Sequence, residues 1–349
     1  MAFKMAGQTI GDDNSCFIVA ELSSNHAKNL EIAINTIKAI KESGADAVKL
    51  QTYTPESMTL KSEKDFFRIR QGTIWDGKTL YDLYEEAYTP WEWHSKLKTA
   101  AEELGLVCFS APFDKAAVDF LEDLNFPAYK VASFEITDIP LIRYIASKGK
   151  PIILSTGIAN LSEIEEAVNV CRSQGNLHIA LLKCTSAYPA PFDEINLKTI
   201  PDLLNTFNAV IGLSDHTMGY SVAIASIALG AKIVEKHFIL DRSLKTPDAS
   251  FSMEPHEFRA MVSSIKEAEK AMGKVSYDLT ESTMKSREFA RSLFVVQDIQ
   301  CGDVFTEENI RSIRPGFGLH PRYLDSVLGR KSHGALSAGT PLQWEMIDK

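Results

Sequence analysis

From Cys16 onward the chain alternates short, β-rich apolar runs with longer stretches of helical period. The apolar runs cover residues 17–21, 47–51, 107–111, 128–133, 151–155, 179–184, 209–214 and 231–237. Between them, residues 30–43 carry Ile34, Ile37, Ala39 and Ile40 at helical spacing and stop at Gly44. Ser162 with Glu165 reads as a capping box opening the helix through Ala167 and Val170. Strand and helix signals in strict alternation predict βα units on a parallel sheet. Eight such units over about 270 residues fit a (β/α)8 TIM barrel, an α/β fold of ~250 residues. A doubly wound sheet competes, but seldom needs eight regular units.

One connection breaks the rhythm. Residues 52–89 form a long insertion carrying Phe66, Phe67, Trp75, Tyr81 and Tyr84. Such length in a compact domain points to a lid or binding loop, with aromatics packing an extra helix as the alternative. After a last barrel helix over 255–272, the polar stretch 273–286 reads as a linker. Residues 292–349 then change character to short strands and turns. The expected organisation is a catalytic barrel over 1–280 and a small domain with its linker over 281–349. A module this small is marginal alone and is expected to dock on a barrel, its own or a partner's.

Composition narrows the class. The 349 residues are 45% apolar and 24% charged, as in a soluble globular protein. A net charge of −9 argues against general nucleic-acid binding, so an anionic substrate would need local cations. Cys16, Cys108, Cys171, Cys184 and Cys301 are odd in number and lack CxxC spacing, which reads as free thiols in a reducing compartment. Cys16, Cys108 and Cys184 fall in strands and read as buried structural thiols rather than nucleophiles. The first fifteen residues lack a hydrophobic signal core and no apolar run approaches eighteen residues, so a cytoplasmic protein without a membrane segment is expected.

Parallel barrels build their sites at the C-terminal strand ends. Here those ends carry Glu21, then Lys49 and Gln51, Ser110, Lys130 and Ser133, Ser155 and Thr156, Thr185 and Ser186 with Tyr188, Ser214 and His216, and Glu235 and His237. Lys49 and Lys130 would serve as point charges for a phosphate or carboxylate, with the serines as donors. Serine at a strand end also commonly bonds its own backbone. His216 and His237 close strands seven and eight, neighbours in a barrel, and are candidates to hold one divalent metal; two unrelated histidines ending core strands are the plain alternative. Glu21 is open between general base, metal contact, orienting group and an ion pair with Lys49 or Lys130. His94, His178 and His256 read as structural or exposed. His26, in the first βα loop, could approach the site. His320 and His333 lie in the small module, with a loop role open for His320 only.

The segments AELSSNH, KLQT, FSAPFD, YKVASFE, ILSTG, KCTSAYPAP, GLSDHTMGY, VEKHF and KTPDASFSMEP, followed by RPGFGLHP, resemble the sialic acid synthase family, which condenses phosphoenolpyruvate with a sugar aldehyde. The resemblance implies a (β/α)8 barrel, a C-terminal antifreeze-like (SAF) domain, a domain-swapped homodimer and a divalent metal, typically Mn2+, with Mg2+ or Co2+ as alternatives. On the matching positions it makes His216 and His237 the metal ligands and places Glu21 and His237 in catalysis, Glu21 handling protons or positioning the attacking water. Lys49, Lys130, Ser133, Ser155, Ser186 and Ser214 become phosphoenolpyruvate contacts. Gln51, Tyr188, Glu235 and Asp248 would face the sugar, and Arg314 would reach the partner's site and its acetamido group. Ser186 departs from the asparagine of the N-acetylneuraminate enzymes, which weakens its expected phosphate contact. The same segments look most like the branch that acts on 2,4-diacetamido-2,4,6-trideoxy-L-altrose to give pseudaminic acid and phosphate by C–O cleavage. Production of N-acetylneuraminate or legionaminate from the corresponding hexosamine is the alternative. More distant ones are a pyruvate-using metal aldolase and a carbohydrate-binding protein.

Overall fold

The computed structural model describes residues 1–348; Lys349, the last residue of the expected small domain, lies outside the described residues. The chain divides into two compact units, one ending at Gly273 and the other beginning at Lys274. In the first, a short antiparallel hairpin, β1 (Ala2–Met5) and β2 (Gln8–Gly11), precedes eight parallel strands. These are β3 (Phe17–Glu21), β4 (Ala47–Thr52), β5 (Val107–Pro112), β6 (Tyr129–Val131), β7 (Ile152–Ser155), β8 (Ile179–Cys184), β9 (Val210–Asp215) and β10 (Ile233–His237). They pair in chain order, and β10 returns to β3, closing the expected barrel.

Each strand is buried on both faces, so its sequence is a nearly continuous apolar run. Successive side chains still alternate. Ile18, Ala20, Val48 and Leu50 point outward into the core shared with the helices, where Ile37, Leu97, Leu121 and Ile142 are fully buried. Phe17, Val19, Ala47, Phe109, Ile153, Leu182 and Ile233 fill the barrel interior, and Phe3, Met5 and Ile10 of the hairpin join them as a plug. Gly212 is required inside the barrel: a Cβ there would fall 2.5 Å from the Ile233 carbonyl oxygen.

The helices begin and end on local signals. In helix Leu30–Glu42 the Asn29 side chain accepts from the Glu31 and Ile32 amides, Ala33, Ile37 and Ile40 are buried, and Gly44 follows at φ +88°. The capping box expected from Ser162 and Glu165 is instead Asn160 and Glu163, opening helix Leu161–Ser173: Asn160 accepts from the Ser162 and Glu163 amides while Glu163 takes the Asn160 amide at 2.8 Å. Asparagine two residues upstream already satisfies those orphan amides, which leaves Ser162 inside the first turn. The insertion holds two helices, Pro55–Met58 and Leu80–Ala87. The last barrel helix is Pro255–Met272, as expected.

The second unit begins in the stretch expected as linker, where helix Glu281–Ser286 forms. It is centred on antiparallel β11 (Ser292–Val295) and β12 (Ile310–Ile313), with Leu293, Val295, Ile299, Phe305 and Leu342 in its core. No described helix is long and apolar enough to cross a membrane.

Candidate active site

The interior positions stay apolar through the first part of each strand and become polar in the last layer. On β3 this layer is Glu21, on β4 Lys49 and Gln51, on β6 Lys130, on β7 Ser155, on β9 Ser214, and on β10 Glu235 and His237. All of them line one cavity of about 230 Å³ at the C-terminal strand ends. Ser133, Tyr188, His216 and Asp248 line it as well.

Lys49 is the hub of the floor. Its Nζ lies 2.6 Å from Glu235 Oε1 and 3.0 Å from Glu21 Oε2, all three side chains being buried. Burial works against the Lys49 cation, but the two carboxylates hold its pKa above the ordinary lysine value. Burial likewise opposes the Glu21 anion, yet Lys49, His237 and the Gln51 amide, which donates at 2.9 Å, hold it well below the usual carboxylate range. Glu21 is therefore an ionised acceptor; of the roles open to it the ion pair with Lys49 is formed, and His237 Nε2 is 3.2 Å away. Glu235 also accepts from Ser214 at 3.2 Å.

Lys130 is differently placed. It donates to Ser155 Oγ at 2.6 Å and the Val131 carbonyl at 2.9 Å, with only Glu235 near it at 3.9 Å. Burial pulls its pKa down, with the carboxylates opposing. A fully buried lysine without a close carboxylate is the natural seat for an incoming anion. Beside it Ser186 donates to Ser133 at 2.7 Å, and Ser133 accepts the Ile158 amide at 3.1 Å. Gly157 keeps this corner open, since a Cβ would fall 2.5 Å from Ser133 Oγ. Ser186 is thus one step back, behind Ser133.

His216 and His237 come together as neighbours, ring centroids 5.4 Å apart, with Tyr188 4.5 Å from His216 and Phe251 5.0 Å from His237. His216 Nδ1 donates to the Thr185 carbonyl at 3.0 Å, so Nε2 is the nitrogen open to a ligand; against burial, Cys184 and this carbonyl hold the ring's pKa above the ordinary imidazole value. His237 Nδ1 is buried without a hydrogen-bond partner. An orphaned ring nitrogen next to a free imidazole nitrogen suits a divalent metal, two protein ligands leaving positions for substrate and water. Among the described residues no three histidine, cysteine, aspartate or glutamate side chains are arranged so that together they could hold a metal ion. Burial lowers the His237 pKa, so its ring is neutral, the form that binds a metal. Asp248, which accepts from Ser23, stands 3.7 Å from His237 Nδ1.

Several expectations do not reach the cavity. Ser110 points outward to Thr52 Oγ1 at 2.6 Å, and His94 Nε2 completes that buried triad at 2.8 Å, because Phe109 takes the inward position. His26 is buried against Thr89 at 3.2 Å and Trp93, tying the first loop to the end of the insertion and the turn that follows it. Arg314, expected at a partner's site rather than at this one, is an exposed residue of the second unit. Of the insertion aromatics, Trp75 and Tyr84 line the cavity, while Phe66 is 92% exposed and Tyr81 donates to Glu56 at 2.6 Å. Cys16 and Cys108 are buried with raised pKa values, as structural thiols should be, whereas the buried Cys184 lies 3.8 Å from His216 Nδ1 and is held below its ordinary value against burial by that ring and Lys130.

One acid was missed. Glu135, two residues past the serine where the expected strand ends, lines the cavity with a buried Oε2 that has no partner. Burial pushes its pKa up to about 7, Asp138 adding and Lys130 opposing. Its signal was position alone: β6 stops at Val131 and a tight turn over Ser133–Glu135 swings the carboxyl over the mouth.

Lysines, carboxylates, hydroxyls and a histidine pair thus share one barrel rim, the place where enzymes of this fold build their active sites. The chain belongs to the NeuB family, which residues 36–277 match, and residues 290–348 match the SAF domain. It is 49% identical over 333 residues to the pseudaminic acid synthase of Helicobacter pylori, covering 95% of this chain and 98% of that one. Identity to the pseudaminic acid synthase of Campylobacter jejuni is 46% over 331 residues, 95% of this chain and 96% of the relative. Among solved structures, the N-acetylneuraminic acid (sialic acid) synthetase of Leptospira borgpetersenii superposes with a TM-score of 0.73 at 29% identity, covering 82% of this chain and 95% of that one.

Proposed function

We propose that this chain condenses phosphoenolpyruvate with 2,4-diacetamido-2,4,6-trideoxy-L-altrose, giving pseudaminic acid and phosphate. The observation that carries the reading is one cavity holding both an anion seat, Lys130 and Ser155 beside Lys49, and the His216–His237 pair. Identity of 46–49% to two pseudaminic acid synthases, against 29% to the N-acetylneuraminic acid synthetase, favours the diacetamido sugar.

In this reading Lys130, Lys49, Ser133, Ser155 and Ser214 hold the phosphate and carboxylate of phosphoenolpyruvate, with Ser186 supporting Ser133. A divalent metal on His216 and His237, manganese by family resemblance, would supply Lewis-acid polarisation of the sugar aldehyde. Attack by C3 of phosphoenolpyruvate forms the carbon–carbon bond, and the aldehyde oxygen takes a proton to become a hydroxyl. Water adds at C2 and gives up a proton. The bond from C2 to the phosphate oxygen then breaks, phosphate departs, and the hydroxyl from water loses its proton to become the ketone. Glu21, ionised and steered by Gln51, is the acceptor for the water proton. Glu135, protonated over part of the neutral range, is a donor on the same rim. Tyr188 and Asp248 flank the sugar end, while Glu235 tunes the two lysines before it touches substrate. Assembly as a domain-swapped homodimer would bring Arg314 to the partner's sugar site, and a cytoplasmic location fits five free thiols.

The deciding experiment offers phosphoenolpyruvate with the diacetamido sugar or with N-acetylmannosamine and follows phosphate release and product mass and NMR spectra. Phosphate with a nine-carbon 2-keto acid from the diacetamido sugar is expected. Turnover of N-acetylmannosamine alone, or of pyruvate without phosphate release, overturns the reading.

A further inference from the structure

The charged floor of the cavity has an apolar counterpart. Met58 and, one turn apart on helix Leu80–Ala87, Leu83 and Ala87 line the cavity from the insertion, and Phe113 joins them from the end of β5. None of the four offers a conventional hydrogen-bonding group. Tyr53 backs the corner, its ring 5.2 Å from Phe113 and 5.7 Å from Tyr84. The wall is braced: Tyr81 donates to Glu56 at 2.6 Å, tying the two insertion helices together, and the Trp75 indole donates to the Pro247 carbonyl at 3.0 Å. The insertion leaves from the end of β4, beyond the layer of Lys49 and Gln51. In the proposed reaction a sugar whose aldehyde carbon is held at the imidazoles extends its far carbons away from the floor, and these side chains are the apolar part of the same cavity lining.

We infer that Met58, Leu83, Ala87 and Phe113 form the specificity element for the distal end of the sugar, receiving a methyl-terminated chain and disfavouring a terminal hydroxyl. The inference rests on the function proposed above. A hydroxyl pressed on these four side chains loses water and gains no partner from them. An apolar pocket rejects an added hydroxyl only moderately, so discrimination of about 10- to 100-fold in kcat/KM is expected, far short of what a hydrogen-bonding site achieves.

The test compares kcat/KM of the metal-loaded enzyme for 2,4-diacetamido-2,4,6-trideoxyaltrose and for the same sugar carrying a 6-hydroxyl. Wild type is set beside Leu83→Asn and, should that buried change prevent folding, Ala87→Ser at a half-buried position. The polar variants are expected to shrink the preference for the deoxy sugar by about tenfold while KM for phosphoenolpyruvate stays put. An unchanged ratio in a folded variant, or a wild-type ratio near one, overturns the inference and leaves the synthase reading standing. Absence of phosphate release with either sugar defeats the synthase reading, and the inference with it.

Discussion

Lys49 and Glu235 stand on strands that do not pair with each other, yet their side chains meet at 2.6 Å across β3, which lies between them. The contact is sealed from solvent, and Glu21 from β3 closes it into a three-membered cluster at 3.0 Å from the same lysine. Three consecutive barrel positions are thus joined by charge at the layer where chemistry is expected.

Removing the shared cation should cost more than removing one carboxylate. Lys49→Met leaves two buried carboxylates without their common partner and is expected to destabilise the barrel by about 3–5 kcal/mol. Glu235→Gln leaves Lys49 its contact with Glu21, and the double variant should recover about 1–3 kcal/mol relative to the sum of the two. Urea unfolding at neutral pH measures the cycle. Additive losses would mean that the floor is not one electrostatic unit.

Both histidines have a ring nitrogen that the protein leaves free, so divalent metal should bind the folded state and stabilise it. At a hundred times its dissociation constant the gain is about 2.7 kcal/mol, visible as a rise in Tm. His237→Ala should abolish both this rise and metal-dependent phosphate release while leaving the metal-free unfolding profile close to wild type. A chelator should silence the native enzyme in the same way. Normal turnover in metal-free buffer would remove the histidine pair from the chemistry.

How far the sequence reveals this site depends on what each residue answers to. The barrel was legible because double-sided burial writes an apolar run for every strand, and Lys49, Lys130, Glu235 and His237 stand out as charges or imidazoles breaking such runs. Ser110 was misplaced by one step of the pleat: at a strand end, neighbouring residues face opposite sides, and composition does not say which faces in. The cap at 160–165 was ambiguous because two frames, Asn160 with Glu163 and Ser162 with Glu165, satisfy the same spacing. Glu135 ends the YKVASFE segment, but its raised pKa comes from burial, which the sequence does not display. Leu83 and Ala87 read as the ordinary apolar face of an amphipathic helix, and only the folded insertion shows that this face looks into the cavity.

The raised pKa of Glu135, from an ordinary 4.5 to about 7, makes stability depend on pH with a definite sign. Folding favours the protonated carboxyl, so nothing is lost below the unfolded value and stability falls as pH rises through the folded one. Relative to Glu135→Gln, wild type should lose about 1–3 kcal/mol between pH 4.5 and 8, the full shift being discounted for partial exposure. Parallel denaturant titrations of both proteins at these two pH values give the difference directly. If the carboxyl also donates a proton during turnover, kcat of wild type should fall above pH 7 and that limb should flatten in the variant. Equal pH dependence of stability would place Glu135 in solvent.

Arg314 is exposed in the second unit, within the RPGFG segment just past β12. Should the enzyme work as a domain-swapped homodimer, a site would need Arg314 from one chain and His237 from the other. Arg314→Ala and His237→Ala proteins, each inactive or nearly so, would then complement when mixed. A heterodimer would carry one site with both changes and one with neither. With equal amounts and free exchange, about a quarter of wild-type specific activity should return, since half the dimers are mixed and each has one intact site. Subunit exchange is followed independently with a differently tagged chain. Exchange without recovered activity would assign Arg314 to the barrel of its own chain or to no site.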